Sequence, residues 1–210
     1  MLKFQVSIFF ALVLSMFLAT GVDVAESRRA GGQLTQESPF CWNIKPDYPL
    51  YKQCDPQWGN DTIITKTVCQ VGCLMSSISM GLAGWGWKID YSIPVNPGTL
   101  NKWLVEDSGY TDNNNLVESV LNYEFAQLWN PDTGMHKTND LQPSDLGKLL
   151  TECKFVVANV MGGRHFVLVT GWSSDYPDTV WVNDPGYNTE SYSFTNDIVG
   201  WRIFNTAQCC

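Results

Sequence analysis

The sequence predicts an α+β domain, with helices in its first half packed on an antiparallel sheet drawn from its second half. Three observations point to this. Between residues 73 and 150 three stretches carry apolar residues at helical spacing. From Phe155 onward they fall in short β-branched and aromatic runs divided by turn signals. The 210 residues, 44% hydrophobic and 16% charged, suit one folded domain with a sizeable core.

Taken in order, the chain starts with a targeting pattern. Lys3 supplies a positive charge, residues 6–18 are apolar but for two serines, and Ala19-Thr20-Gly21 offers small residues for cleavage. The run is shorter than the ~20 residues of a spanning helix, so residues 1–21 are expected to be a signal peptide. Residues 22–40 are rich in Gly, Ser, Gln and Glu around Arg28-Arg29. They read as a flexible leader or short propeptide, which leaves 41–210 as the folded domain.

Residues 41–64 read as loop, with Pro46, Pro49 and Pro56. Asn60-Asp61-Thr62 is an N-glycosylation sequon, so Asn60 is expected on the surface. After Cys73, residues Leu74, Met75, Ile78 and Leu82 mark a helix that the glycines at 81, 84 and 86 would end. Residues 97–104 form a second helix, with Leu100, Trp103 and Leu104 on one face. Residues 116–125 are apolar enough to be an element, but periodicity does not decide its type. Residues 130–140 read as a polar loop. Ser144 is expected to cap a third helix through Leu146, Leu149 and Leu150. Strands follow at 155–160, 165–170 and 179–182, the last two joined by a turn at 173–178 that contains Pro177. Residues 191–194 and 198–204 supply one or two more. Trp172 and Trp181 flank the turn and are expected to pack across the strands.

A formal net charge of -8 argues against nucleic acid as a partner and against an acidic membrane surface. The 7 cysteines all follow the leader, at positions 41, 54, 69, 73, 153, 209 and 210. An odd count in an oxidising compartment leaves one thiol over. Six paired cysteines and one free Cys73 is the economical expectation, with the connectivity open. The oligomeric state is open too, since Cys209-Cys210 could bridge two chains. No CxxC pair or Cys/His cluster has zinc-ligand spacing, so no metal or other cofactor is expected.

Gly72-Cys73 is the centre of the chemistry. It places a sulfur at a helix N-terminus, where unpaired N–H groups stabilise an anion. Together with a nearby imidazolium this favours the nucleophilic thiolate. The imidazole is expected from His165, one of 2 histidines. His136 lies in the polar loop without an evident partner. If the strands flanking residues 173–178 pair about the middle of that turn, His165 falls near Asp184, a carboxylate that would fix its tautomer. The Cys73 N–H and the neutral amide of Gln53 are candidate donors to an oxyanion.

The order Gln53, Gly72-Cys73, His165, Asp184 resembles the papain-like cysteine peptidases. It looks most like the bacteriocin-processing peptidases and their wider relatives, the C-thirty-nine-like domains. The pieces that carry the likeness are Tyr51-Lys-Gln-Cys-Asp-Pro-Gln-Trp58, Val71-Gly-Cys-Leu74, Pro97-Gly-Thr-Leu-Asn-Lys-Trp-Leu104, Gly109-Tyr110, His165-Phe-Val-Leu-Val-Thr-Gly171 and Val182-Asn-Asp-Pro-Gly186. They span about residues 50 to 205. The resemblance implies a papain-like fold, in which the helix bearing the nucleophile packs against an antiparallel sheet bearing the base. It implies Cys73 as nucleophile, His165 as base and then acid, Asp184 as its orienting group and Gln53 in the oxyanion hole. Cys54 and Cys69, the sequon and the disulfide usage depart from the family pattern, so a bacteriocin leader is not carried over as substrate. The expected protein is a secreted or lumenal cysteine peptidase or amide hydrolase acting on peptides or proteins. A silent binding protein on the same fold, favoured if Cys73 is tied to Cys54 or Cys69, and an acyl-transferring relative are the alternatives.

Overall fold

A computed structural model describes residues 46–206. The expected signal peptide (1–21) and leader (22–40), with Cys41, Cys209 and Cys210, lie outside the described residues. Within them the architecture is the α+β one expected: helices against a six-stranded, wholly antiparallel sheet.

A short helix α1 (Val68–Val71) leads through Gly72 into α2 (Cys73–Gly84). Met75, Ile78 and Leu82 are buried at the expected spacing. The serines between them are buried as well, so α2 has almost no solvated face. Two serines find acceptors: Ser77 donates to the Phe166 carbonyl at 3.1 Å and Ser79 to the Ser76 carbonyl at 2.8 Å. Gly81 does not end the helix; it lies inside it against the Phe155 ring. A two-stranded ribbon of β1 (Lys88–Ile89) and β2 (Ile93–Pro94) follows, then α3 (Pro97–Glu106). Asn96 caps α3, accepting from the Thr99 N–H at 3.0 Å, and Pro97 fills the first helical position, where no N–H is needed.

One element left open in the middle of the chain is settled, and three expectations need correction. Residues 118–123 form a 3-10 helix, the geometry that periodicity left undecided. The supposed polar loop at 130–140 contains a one-turn helix α4 (Pro131–Gly134) and an edge strand β3 (Met135–His136) paired with the last strand. A two-residue strand has no periodicity to read, and its pairing partner is some 65 residues away. His136 is not without a partner: its Nδ1 lies 2.8 Å from Asp140 Oδ1. Helix α5 (Pro143–Thr151) starts one residue before the expected cap. Its N-cap is Gln142, whose N–H donates to the Asp145 carboxylate at 3.1 Å.

The remaining strands are β4 (Lys154–Val160), β5 (His165–Trp172), β6 (Thr179–Asn183), β7 (Ser191–Ser193) and β8 (Gly200–Asn205). Their order in the sheet is β3-β8-β4-β5-β6-β7. Helix α2 covers one face and α5 the other. The β4 run Phe155-Val-Val-Ala-Asn-Val160 shows why two covers are needed. Phe155 and Val157 join the core around α2, whereas Val156, Ala158 and Val160 join the core around Leu146 of α5. Trp172 and Trp181 do not face each other. Trp172 is opposite Val180 and Trp181 is opposite Gly171, because the β5–β6 register shifts between Val169 and Gly171.

Candidate active site

The site forms where the N-terminus of α2 meets the start of β5 and the segment that follows β6. Each of these three pieces is held in place by packing or a hydrogen bond that can be named.

Gly72 is the N-cap of α2 and Cys73 its first residue. A Cβ on Gly72 would lie 2.5 Å from the Val68 carbonyl oxygen and 2.8 Å from Val68 Cγ1. The chain can therefore turn from α1 into α2 only with no side chain there. Gly72→Ala is expected to destabilise the domain by about 1–3 kcal/mol through this overlap, measured as a lower unfolding midpoint. An unchanged midpoint would mean that the two helices can part freely. Cys73 is half-buried and is a free thiol. As the first residue of a helix it has an N–H that the helix leaves unpaired.

His165 is buried and opens β5, paired in the ladder with Val160 of β4. Its Nε2 donates to Asp184 Oδ1 at 2.7 Å, and Cys73 is close enough to interact with the ring. Nε2 is thus taken by the carboxylate, and Nδ1 is left without a bond to Asp184. Burial pulls the His165 pKa down, but the hydrogen bonds and negative charge of Asp184 and Cys73 win and push it up to about 9. Asp184 is fully buried. Burial raises its pKa, yet four donors outweigh that and hold it below the usual carboxylate range. These are His165, the N–H groups of Gly186 (2.8 Å) and Tyr187 (2.9 Å) on Oδ1, and the Tyr192 hydroxyl on Oδ2 at 2.7 Å.

The expected juxtaposition of His165 and Asp184 is present, but the ladder does not make it. Leu168 pairs with Asn183, the register symmetric about the middle of residues 173–178. Carried past the strand end, this register brings Gly186 opposite His165. A Cβ on Gly186 would lie 2.9 Å from His165 Cε1, so the loop can pass the imidazole only as glycine. Asp184 reaches His165 because the segment after β6 curls back. The Lys52 ammonium ties that curl by donating to the carbonyls of Asp184 and Tyr187, and the Gln53 N–H donates to the Pro185 carbonyl at 2.9 Å.

Gln53 is buried beside the same cleft, with its Nε2 donating to the Cys69 carbonyl at 2.7 Å. One N–H of that amide remains, and Oε1 has no protein partner. Cys54 and Cys69 form a disulfide, so the residue after Gln53 and its side-chain acceptor are covalently joined. Cys153 is disulfide-bonded as well. The cleft encloses about 440 Å³ and is lined by Gln53, Gln70, Met161, Arg164, His165 and Tyr187, among others. Among the described residues no group of His, Cys, Asp and Glu could hold a metal ion. Asn60 is exposed, as a sequon needs.

Sequence reasoning singled out Cys73, His165, Asp184 and Gln53, and all four converge here. It missed Lys52, although Lys52 lies inside the quoted Tyr51–Trp58 motif. It also missed Tyr192, which no local pattern marks; only its hydroxyl on Asp184 reveals it.

A thiol at a helix N-terminus, an imidazole on the facing sheet and a carboxylate behind it make the arrangement of a papain-like cysteine peptidase. The Peptidase_C39 like family model matches residues 45–207, and the chain belongs to that family. Membership brings a cysteine-peptidase kind of function and peptide or protein substrates. No curated protein and no solved structure matches the chain.

Proposed function

We propose that the protein is a secreted or lumenal cysteine peptidase that cleaves peptide or related amide bonds through an acyl-thioester on Cys73. The observation that carries the reading is a free Cys73 that interacts with a buried His165 held by Asp184. A disulfide at Cys73 would have favoured a binding protein; Cys69 and Cys54 are instead paired with each other.

The proposed cycle follows from the groups present. The Cys73 proton moves to His165, giving a thiolate and an imidazolium that Asp184 stabilises. The thiolate attacks the substrate carbonyl carbon. The resulting oxyanion takes hydrogen bonds from the Cys73 N–H and the remaining Gln53 N–H. As the tetrahedral intermediate collapses, His165 gives its proton to the leaving amine. Water then enters, His165 removes its proton, and the acyl-thioester is hydrolysed with the proton returned to Cys73.

Two measurements test this. Alkylation of the unreduced protein, mapped by peptide mass spectrometry, is expected to label Cys73 rapidly at mildly acidic pH. Recovery of Cys73 in a disulfide would overturn the reading. The second is the pH profile. His165 must stay protonated in the ion pair, and its proton leaves near pH 9, so kcat/KM is expected to fall above about pH 9. A fall centred near the ordinary imidazole value would mean that Asp184 does not hold the ring in solution.

The proposal includes cleavage of residues 1–21 as a signal peptide, residues 22–40 as a leader, and surface glycosylation at Asn60. The Cys54–Cys69 disulfide supports an oxidising compartment. No helix among the described residues is long and apolar enough to cross a membrane.

A further inference from the structure

We propose that the cleft beside Cys73 is selective for anionic peptides and that the Arg164 guanidinium reads a carboxylate on them. This deepens the peptidase reading and rests on it.

Three observations carry the proposal. First, the charges on the cleft wall are one-sided. The chain has 21 acidic and 13 basic residues, yet among the described residues no Asp or Glu lines this cleft, and Arg164 does. Asp184, just behind, is buried and matched by the His165 imidazolium. The Lys52 ammonium, behind Tyr187, is bonded to two carbonyls and not to a carboxylate. The local field is therefore positive in a chain of net charge -8.

Second, Arg164 is anchored but not satisfied. Its Nε donates to the Met161 carbonyl at 3.1 Å. Among the described residues it forms no ion pair, so both terminal nitrogens remain as donors. That planar pair matches the two oxygens of a carboxylate, and the Nε anchor reduces the freedom lost on binding.

Third, the backbone commits Arg164 to this place. Met161, Gly162 and Gly163 all have positive φ, at 55°, 66° and 88°. This tight reversal joins β4 to β5 and sets Arg164 directly before His165. A methionine in the left-handed region is strained, and such strain clusters at functional sites. Met161, in this reversal, is 39% exposed on the cleft, and Tyr187, in the segment after β6, is 51% exposed on it. Both can pack on the apolar stem of a residue whose carboxylate meets Arg164.

The carboxylate could be an internal Asp or Glu side chain or the C-terminus of a short peptide. Matched peptides separate the two: one series carries Glu, Gln or Lys at each position flanking the scissile bond, and another ends in a free acid or an amide. The wild type is expected to prefer Glu over Gln at one position, or acid over amide, by about tenfold in kcat/KM, with the preference shrinking as salt rises. Arg164→Met should flatten that ratio, Arg164→Lys should retain part of it, and Arg164→Glu should invert it toward Lys. Equal ratios in the wild type and Arg164→Met overturn the proposal.

A second readout does not require turnover. The rates at which iodoacetate and iodoacetamide alkylate Cys73 give an anion-to-neutral ratio for the same thiol. Arg164→Met is expected to lower it severalfold, and an unchanged ratio also overturns the proposal. A ratio that depends on Arg164 in a protein that cleaves no peptide would retain the anion-selective cleft and discard the peptidase reading.

Discussion

Cys73→Ala is expected to abolish peptide turnover while the domain keeps its fold. The loss should be roughly 10⁴-fold or more, as when a nucleophile that acts as one unit with its base is removed. The thiol is half-buried at the first position of α2. Truncating it removes one sulfur and its interaction with His165 but touches neither sheet core. The unfolding midpoint should therefore move by only a few degrees, equivalent to about 1 kcal/mol. Turnover and the midpoint, measured on one preparation, separate lost chemistry from lost structure. Normal activity in this variant would end the hydrolase reading, since Cys73 is the free cysteine among the described residues.

Asp184→Asn is expected to have the next largest effect, a loss of about 10²- to 10⁴-fold in kcat at neutral pH. The substitution keeps the shape but removes the charge. With that charge gone, burial of His165 is no longer opposed by its main partner, and its pKa should fall from about 9 toward or below 6.5. The alkaline limb of the activity profile should move down with it.

Stability should follow the same sign. A histidine whose folded pKa is raised stabilises the fold fully below its unfolded value of 6.5, and this contribution is lost as pH rises through about 9. Asp184, held low when folded, contributes above its own unfolded value and loses that contribution as pH falls. The wild type should thus lose stability between pH 6.5 and 9 in a way that Asp184→Asn does not. A variant with near-normal kcat and a limb still near pH 9 would show that the imidazole is held by something else.

The element pattern was legible because it is local. Met75, Ile78 and Leu82 fall on a helix because residues three and four apart share a face. The β4 run is continuously apolar because both of its faces are covered. The edge strand β3 was missed because two residues carry no period, and the cap of α5 was misplaced by two residues because Pro143 and Asp145 start the helix from Gln142. Tyr192 was missed for a different reason. It belongs to the site only through the β6–β7 pairing, in which it lies opposite Val180.

The sequence by itself determined the chemistry on offer. It placed a glycine and a cysteine at a helix start, a histidine at a strand start, and Asn-Asp-Pro-Gly after the return strand. The tertiary structure alone decided which cysteines pair, because a disulfide depends on the approach of residues far apart in the chain, and spacing does not encode that distance. It also decided how Asp184 meets His165. The ladder register brings Gly186, two residues beyond Asp184, opposite His165, and the contact depends on Lys52 and Gln53, more than 130 positions away, holding the curled segment against the imidazole.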